Sequence, residues 1–323
     1  MLFKKEELVA ATELVYQSMA PTPQIPWPLL QKETGIEVLV KHENHTPIGA
    51  FKVRGGITFI DWLRKAEPNI AGVVSATRGN HGQSLARAAK QNQLACRIVV
   101  PQGNSSEKNQ AMNSFGAELV VYGNDFDTAK EEALRISQSE ELYFVPPYHK
   151  EMVRRVATYA LELFTSNPDL HTVYVPIGCG SGICGVISAR DALGLKTNVV
   201  GVVSKNAKTA KLSLEAKKLV ETNSANTFAD GIAVRVPVKE AYEIYSKGVE
   251  RIVAVSDEDI LAAIHSLFRT THNVAEGAGA APLAALNKEK SRMKGKAVGI
   301  ILTGGNIDLD KFRTVLDGKI PVF

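Results

Sequence analysis

The residue of this chain best placed for covalent chemistry is Lys52, which lies in the run Asn44–Gly56 (NHTPIGAFKVRGG). This run follows a predicted strand and leads into a predicted helix, whose positive dipole end disfavours a cation. A lysine that is held neutral by burial and by the dipole is suited to Schiff-base chemistry. A solvated surface lysine is the alternative, and the run by itself does not decide between the two.

Two glycine-rich turns have the character of anion sites. Each follows a predicted strand and opens a predicted helix, so that backbone N–H groups and the positive helix end converge. Ser75–Leu85 (SATRGNHGQSL) suits a carboxylate, and Pro176–Gly185 (PIGCGSGICG), where Ser181 adds a hydroxyl, suits a phosphate. Taken alone, the Ser75–Leu85 turn favours a structural role, in which Gly79 and Gly82 permit a tight turn and His81 caps the helix, whereas a phosphate fits Pro176–Gly185 well.

The phosphate predicted at Pro176–Gly185 belongs to neither a nucleotide loop nor a dinucleotide fold. The turn lacks the GK[ST] ending of a nucleotide-binding loop. It also lacks the glycine spacing and the distal acidic residue of the dinucleotide-binding fingerprint. A further candidate is Thr303–Asn306 (TGGN), which directly follows a predicted strand, at the edge where open α/β sheets bind ligands. A plain turn is again the alternative.

The elements that must position these residues alternate between short β-rich runs and amphipathic stretches, the pattern of βαβ units around parallel sheets. The predicted strands are Glu37–Lys41, Ala71–Ala76, Arg97–Val100, Glu118–Tyr122, Thr172–Pro176, Asn198–Val203, Arg251–Val255 and Lys296–Leu302. An α/β fold follows from this alternation.

The strands between Ala71 and Tyr122 form a compact series, and the flanking strands must meet across it. We therefore predict a small α/β domain over residues 51–149, inserted into a larger domain of residues 1–50 and 150–323, with the site in the cleft between them. Met1–Gln24 is expected to be a loosely organised arm.

Composition narrows the class of ligand. The chain has 323 residues, 45% hydrophobic residues and a formal net charge of +4, with no basic run interleaved with aromatics, so nucleic acid is excluded as a partner. No apolar stretch is long enough for a bilayer and the first residues are charged, which predicts a cytoplasmic location without membrane association. The cysteines Cys96, Cys179 and Cys184 lack disulfide or zinc-ligand spacing, so we expect reduced thiols and no structural metal.

The runs FKVRGG, RGNHGQSLA, PIGCGSG, ADGIAV and TGGN, in this order, resemble the fold-type II pyridoxal 5′-phosphate (PLP) enzymes, specifically the threonine and serine dehydratase (ammonia-lyase) and serine racemase group. The resemblance covers nearly the whole chain. It implies a two-domain, tryptophan synthase β-like architecture with parallel sheets flanked by helices. It also implies PLP as the cofactor, a small amino acid as the substrate and a homodimer as the assembly.

The same resemblance assigns roles to individual residues. Lys52 would hold the cofactor covalently and act as the base, Phe51 would pack near the ring, and Asn80 would bind the ring hydroxyl. Gly178, Cys179, Gly180, Ser181 and Gly182 match the phosphate loop; Gly231 matches a backbone contact near the ring, Glu276 lies close to the site, and Thr303 matches the hydroxyl residue that faces the ring nitrogen. Thr77, Arg78, Gly79, Asn80 and His81 match the substrate-binding loop.

The activity implied is elimination of water from threonine, and from serine, to give a 2-oxo acid and ammonia. A neutral hydroxyl at Thr303, in place of a carboxylate, favours loss of a β leaving group over reactions that need a long-lived carbanion. Three alternatives stay open: a dehydratase for another β-hydroxy amino acid such as 3-hydroxyaspartate or phenylserine, a β-replacement enzyme, and a non-catalytic PLP-binding protein.

The chain departs from the family pattern at two places. The family usually reads SSGN where this chain has Thr77, Arg78, Gly79 and Asn80, so the serine that donates a proton in racemases is absent, which argues against racemisation. An inward Arg78 would suit a substrate with a second carboxylate, although we favour an outward, salt-bridged orientation. Metal-binding members have a glutamate where this chain has Val203–Lys205, so no metal site is expected there.

Overall fold

A computed structural model of the protein describes residues 2–321. Its strands, in chain order, are β1 (Gln24–Ile25), β2 (Glu37–His42), β3 (Gly72–Ala76), β4 (Ala95–Val100), β5 (Glu118–Val121), β6 (Tyr143–Phe144), β7 (Thr172–Pro176), β8 (Asn198–Ser204), β9 (Arg251–Val255) and β10 (Ala297–Leu302). All eight strands predicted from the sequence are present, with bounds that differ by no more than a few residues.

The α-helices, in chain order, are α1 (Lys5–Tyr16), α2 (Pro28–Thr34), α3 (Lys52–Ala66), α4 (Asn80–Gln91), α5 (Ser106–Ser114), α6 (Phe126–Ser139), α7 (Lys150–Ser166), α8 (Ser181–Ala192), α9 (Thr209–Ala216), α10 (Lys239–Gly248), α11 (Asp257–Thr271), α12 (Gly277–Lys288), α13 (Lys290–Met293) and α14 (Leu309–Leu316). One 3₁₀ turn, Asp230–Ile232, lies between α9 and α10.

The strands form two sheets. The six-stranded sheet has the order β1-β2-β10-β7-β8-β9 and the four-stranded sheet has the order β5-β4-β3-β6. Every neighbouring pair is parallel except β1 with β2. Because parallel sheets are covered by helices on both faces, central strands such as β3 and β7 are wholly buried. The α/β prediction with parallel sheets is confirmed.

The four-stranded sheet is built only from strands within residues 72–144, and the six-stranded sheet only from strands outside that range. This distribution has the form of an insertion of one α/β unit into another. We propose that the two sheets are the cores of two domains with boundaries near residues 50 and 150, as the sequence suggested.

The expectation of a loose N-terminal arm over Met1–Gln24 is wrong for most of its length, because residues 5–16 form α1. Leu8, Ala11 and Val15 recur at helical spacing and are buried, and α1 packs against α7. The charged residues that precede this stripe, Lys5, Glu6 and Glu7, concealed it in the sequence. Gln24 is also ordered, since it pairs with Lys41 in the short strand β1; Met1 lies outside the described residues.

Helix α3, which begins at Lys52, packs against both α4 and α7. The Ser84 hydroxyl of α4 donates a 2.6 Å hydrogen bond to the backbone carbonyl of Lys52, so the first turn of α3 is fixed from the side. The start of α3 therefore has little freedom to move relative to the two elements that flank it.

A buried ionic cluster lies two residues farther along α3. Arg54 is fully buried, and its guanidinium donates to Glu43 at 2.8 Å and to Glu162 of α7 at 2.6 Å. Lys41 of β2 also pairs with Glu162. Burial alone would raise the pKa of Glu162, but Arg54 and Lys41 hold it below its usual value. The cluster thus joins β2, α3 and α7 through charges that water does not reach.

No helix within residues 2–321 is both long and apolar enough to cross a lipid bilayer. Over the same residues, no group of three or more histidine, cysteine, aspartate or glutamate side chains is arranged to hold a metal ion. Cys96 and Cys184 are buried free thiols, and Cys179 is a half-buried one.

Candidate active site

The candidate site lies where chain segments leave the carboxyl ends of β3, β7 and β10. The segment after β10 pairs with the segment before α3: Ala50 bridges to Gly304, and the backbone N–H of Phe51 donates to the Thr303 carbonyl at 3.0 Å. This pairing places Lys52 beside Thr303 although the two are far apart in sequence. The carboxyl edge of parallel strands is the usual place for ligands in such folds.

A cavity of about 160 Å³ opens between these segments. Every residue that the sequence analysis assigned to the cofactor or to the substrate lines it, including Lys52, Asn80, Ser181 and Thr303. The structure therefore brings the predicted site residues together, while their individual roles stay predictions.

Lys52 has the surroundings of a neutral amine. Its Nζ lies 3.2 Å from the Ser181 hydroxyl and 5.2 Å from the centre of the Phe51 ring. Burial lowers its pKa, although Cys179 and Glu276 act in the opposite direction. The amine also stands at the N-terminus of α3, whose dipole disfavours its charged form. Both effects increase the fraction of unprotonated, nucleophilic lysine near neutral pH.

The loop from Gly178 to Gly182 has the geometry of an anion cradle. Gly180 adopts φ = 102° and precedes the first residue of α8, Ser181, so the loop turns sharply into a helix N-terminus. A Cβ on Gly178 would lie 2.3 Å from the backbone oxygen of Gly231, so a side chain there would collide with backbone. Small residues thus leave the free N–H groups and the Ser181 hydroxyl open to an oxyanion.

Asn80, the first residue of α4, is held from two sides. Its Nδ2 donates to Glu276 at 2.8 Å, and its Oδ1 accepts from the Asn306 amide at 2.8 Å. Asn306 also donates to the Ile48 carbonyl at 2.8 Å. The loop that opens α4 is therefore tied to the segment after β10 by side-chain amides.

Two polar atoms that line the cavity are buried without a hydrogen-bond partner among the described residues, namely His81 Nε2 and Glu276 Oε2. Burial and the neighbouring Lys52 lower the pKa of His81 to about 3, so the ring is neutral. Burial raises the pKa of Glu276 although Lys108 opposes the shift. Because buried polar groups are normally paired, these two atoms indicate that the cavity is built for a polar ligand.

Sequence reasoning missed Lys108, which also lines this cavity from α5. Its buried ammonium donates to Asp230 at 2.5 Å and lies 3.6 Å from Glu276 Oε2. This contact links the four-stranded unit to the six-stranded one across the site. Asp230 could have been suspected, because it lies in the ADGIAV run, whereas nothing in the sequence distinguishes Lys108 from other lysines on an amphipathic helix.

Arg78 does not adopt the outward, salt-bridged orientation that the sequence favoured. Its side chain is half-buried, it lines the cavity, and it makes no salt bridge or hydrogen bond within residues 2–321. It interacts electrostatically with the exposed Asp125, whose pKa is lowered first by hydrogen bonds from Thr128 and then by Arg235 and Arg78.

Comparisons with known proteins agree with this geometry. The sequence model of the family described as "Pyridoxal-phosphate dependent enzyme" matches residues 15–304. The chain is 35% identical over 313 residues to the L-threonine ammonia-lyase of Thermotoga maritima, covering 97% of this chain and 75% of that protein. It is 31% identical over 304 residues to the biosynthetic L-threonine dehydratase of Pasteurella multocida, covering 93% of this chain and 59% of that longer protein.

A solved structure is similar over almost the whole chain. The processed form of threonine deaminase isoform 2 from Solanum lycopersicum superposes with a TM-score of 0.89 at 26% identity, over 98% of this chain and 94% of that one. The overall fold described above is thus shared with this solved structure.

Proposed function

This chain belongs to the family of pyridoxal-phosphate dependent enzymes, and on that premise we propose that it is an ammonia-lyase that eliminates water from threonine and serine to give a 2-oxo acid and ammonia. The names of its relatives, an L-threonine ammonia-lyase and an L-threonine dehydratase, support the choice of reaction. The observation that carries the proposal is the buried Lys52 amine, 3.2 Å from the Ser181 hydroxyl at the mouth of an anion cradle.

The residues present fit PLP. The Gly178–Gly182 loop offers backbone N–H groups at the start of α8 for a phosphate, and its close approach to the Gly231 backbone leaves no room for a Cβ on Gly178. Glu276 Oε2, which has no hydrogen bond within residues 2–321, and the Asn80 amide line the cavity and would meet a ring hydroxyl. The Thr303 hydroxyl, which is buried and has no hydrogen bond within residues 2–321, is available to the ring nitrogen.

When bound, PLP supplies the electron sink that makes the α-proton of an amino acid acidic. Lys52 supplies the base, because its lowered pKa leaves Nζ free to accept that proton. The N–H groups at the start of α4 bind the substrate carboxylate and orient its α-carbon toward Lys52. Thr303 offers a neutral hydroxyl where a carboxylate would keep the ring nitrogen protonated, which favours elimination of the β-hydroxyl as water.

The proposal is tested by assaying 2-oxo acid release from L-threonine, L-serine, threo-3-hydroxyaspartate and phenylserine with PLP-loaded protein. We expect turnover of threonine or serine, together with the visible absorbance of the lysine-bound cofactor. Product formed only when a thiol is added would instead indicate β-replacement. Cofactor absorbance without turnover of any of these would indicate a binding protein and overturn the proposal.

A Ser181→Ala variant is expected to bind PLP about 10-fold more weakly, because it loses one hydrogen bond to a charged phosphate, which is worth about 1.5 kcal/mol or more. The affinity is measured by titrating the apoprotein with PLP and following the visible absorbance. Ser188→Ala on the same helix is the matched control, since the Ser188 hydroxyl donates only to the Cys184 carbonyl. Equal affinities for the two variants would contradict the placement of the phosphate.

We also propose that the chain works as a homodimer. Apolar side chains are exposed on the adjacent helices α11 and α14 and just beyond α14: Phe268, Leu309, Leu316 and Ile320. Phe268 contacts Phe312 with ring centres 5.6 Å apart, so the two helices present one surface. Light scattering of the purified protein decides between one and two copies. The cytoplasmic location expected from the sequence stays a prediction.

A further inference from the structure

The cavity that holds Lys52 adjoins a second, larger one of about 1110 Å³. Six residues line both cavities and form the junction between them. We call this junction the neck; its residues are Arg78, Phe126, Pro147, Cys179, Ala233 and Val234. Within the described part of the chain, Arg78 is the only cationic side chain of the neck. At the neck itself, a substrate that reaches Lys52 through the larger cavity passes one guanidinium among mostly apolar groups.

Arg78 is held there without a counter-ion in contact. No carboxylate of residues 2–321 forms a salt bridge with it, and its side chain is only partly open to solvent. Asp125, across the larger cavity, is engaged as the cap of α6, where its carboxylate accepts from the backbone and the hydroxyl of Thr128 at 2.8 Å. Removing a guanidinium from water without pairing it is costly, so an anionic ligand at the neck would relieve that cost.

The proposed reaction already requires two anionic groups, the cofactor phosphate and the substrate α-carboxylate, and each has a binding position that does not involve the Arg78 side chain. The Gly178–Gly182 loop accounts for the cofactor phosphate, and the N-terminus of α4 accounts for the substrate α-carboxylate. Arg78 belongs to neither group of N–H donors. Its guanidinium is therefore available for a third anionic group, such as one carried by the substrate side chain.

We propose that Arg78 is a specificity-determining residue that selects β-hydroxy amino acids whose side chain ends in a carboxylate, the class to which 3-hydroxyaspartate belongs. A guanidinium binds a carboxylate with two parallel hydrogen bonds, which gives it both affinity and geometric selectivity. The proposal rests on the ammonia-lyase function above for the reaction, but the binding of an acidic side chain does not depend on turnover.

Binding is tested with a pair of amino acids that have no β-hydroxyl and are not dehydrated. L-aspartate and L-2-aminobutyrate are titrated into the PLP-loaded protein, and the change in visible cofactor absorbance gives each affinity. We expect L-aspartate to bind more tightly to the unmodified protein. Arg78→Gln should weaken the binding of L-aspartate by about 10–100-fold more than the binding of L-2-aminobutyrate. This is the range expected for the loss of a charge-assisted hydrogen-bonded pair.

Two further variants isolate the cause. Arg87 lies on α4, the helix that begins just after Arg78, and its guanidinium contacts only Gln91. Arg87→Gln should therefore leave the ratio of the two affinities within about twofold of that of the unmodified protein. Asp125→Asn removes a carboxylate that interacts electrostatically with Arg78 and should strengthen L-aspartate binding selectively. Equal losses for both ligands in Arg78→Gln, or a preference of the unmodified protein for L-2-aminobutyrate, overturns the proposal.

Turnover separates this proposal from the proposed function. We expect kcat/KM for 3-hydroxyaspartate to exceed that for L-threonine, and the ratio to fall by the same factor in Arg78→Gln as in the binding titration. If threonine is turned over and L-aspartate binding does not depend on Arg78, the lyase function stands and the selectivity fails. If no β-hydroxy amino acid is turned over but aspartate binding depends on Arg78, the function fails and the selectivity stands.

Discussion

Replacement of Lys52 by alanine is expected to abolish measurable turnover of threonine and serine. The variant loses the amine that holds the cofactor and the base that accepts the α-proton, and proton transfer by a positioned base alone contributes about 10²–10⁴-fold. The visible absorbance of the lysine-bound cofactor should disappear in the same variant. Both quantities are measured on protein refolded or purified with excess PLP, so that weak non-covalent binding does not limit the result.

Lys65→Ala is the matched control for this experiment. Lys65 lies on the same helix as Lys52, but its side chain is exposed and pairs only with Asp61, so turnover and absorbance should match those of the unmodified protein. Circular dichroism of both variants shows whether the fold is kept. Full turnover by Lys52→Ala would disprove the role of this lysine, and with it the proposed site.

The second large effect concerns stability. Arg54→Met is expected to lower the free energy of unfolding by about 3–5 kcal/mol, because it leaves buried carboxylates without their main partner. Arg54 contacts Glu43 and Glu162 with both side chains almost or fully buried, so water cannot replace the lost hydrogen bonds. Urea unfolding followed by circular dichroism measures the change.

An exposed ion pair provides the control for Arg54→Met. Lys65 pairs with Asp61 on the surface of α3, and Lys65→Met should change the free energy of unfolding by less than about 1 kcal/mol. Adding Glu43→Gln to Arg54→Met should recover part of the loss, since one unpaired charge is removed. A loss below 1 kcal/mol for Arg54→Met, or no recovery in the double variant, would show that the buried carboxylates are not the cause.

Much of the architecture could be predicted because it is local in sequence. The buried parallel strands are short apolar runs, such as the one that ends at Pro176, and glycine-rich turns follow several of them directly. A turn of this kind both ends a strand and opens a helix, so the position of the anion sites followed from the same residues as the fold. The resemblance of five separate runs to one family then connected these turns into one site.

What could not be predicted depends on contacts between distant residues. The strands β1 and β6 have only two residues each and exist because a neighbouring strand is present to pair with them. The pairing of Arg54 with Glu162 joins residues that no local pattern relates. For Arg78, the sequence allowed two orientations, and only the packing of the loop around it decided that the side chain lines the cavity.

The position of β10 has a consequence for biosynthesis. This strand comes near the end of the chain but lies between β2 and β7 in the six-stranded sheet. While the ribosome is still translating, β2 and β7 emerge with a gap between them that only residues 297–302 fill. The four-stranded sheet is complete much earlier, as its last strand ends at Phe144. A nascent chain therefore carries Lys52 without Thr303 opposite it until β10 has been synthesised, and the complete cofactor site forms only after that point.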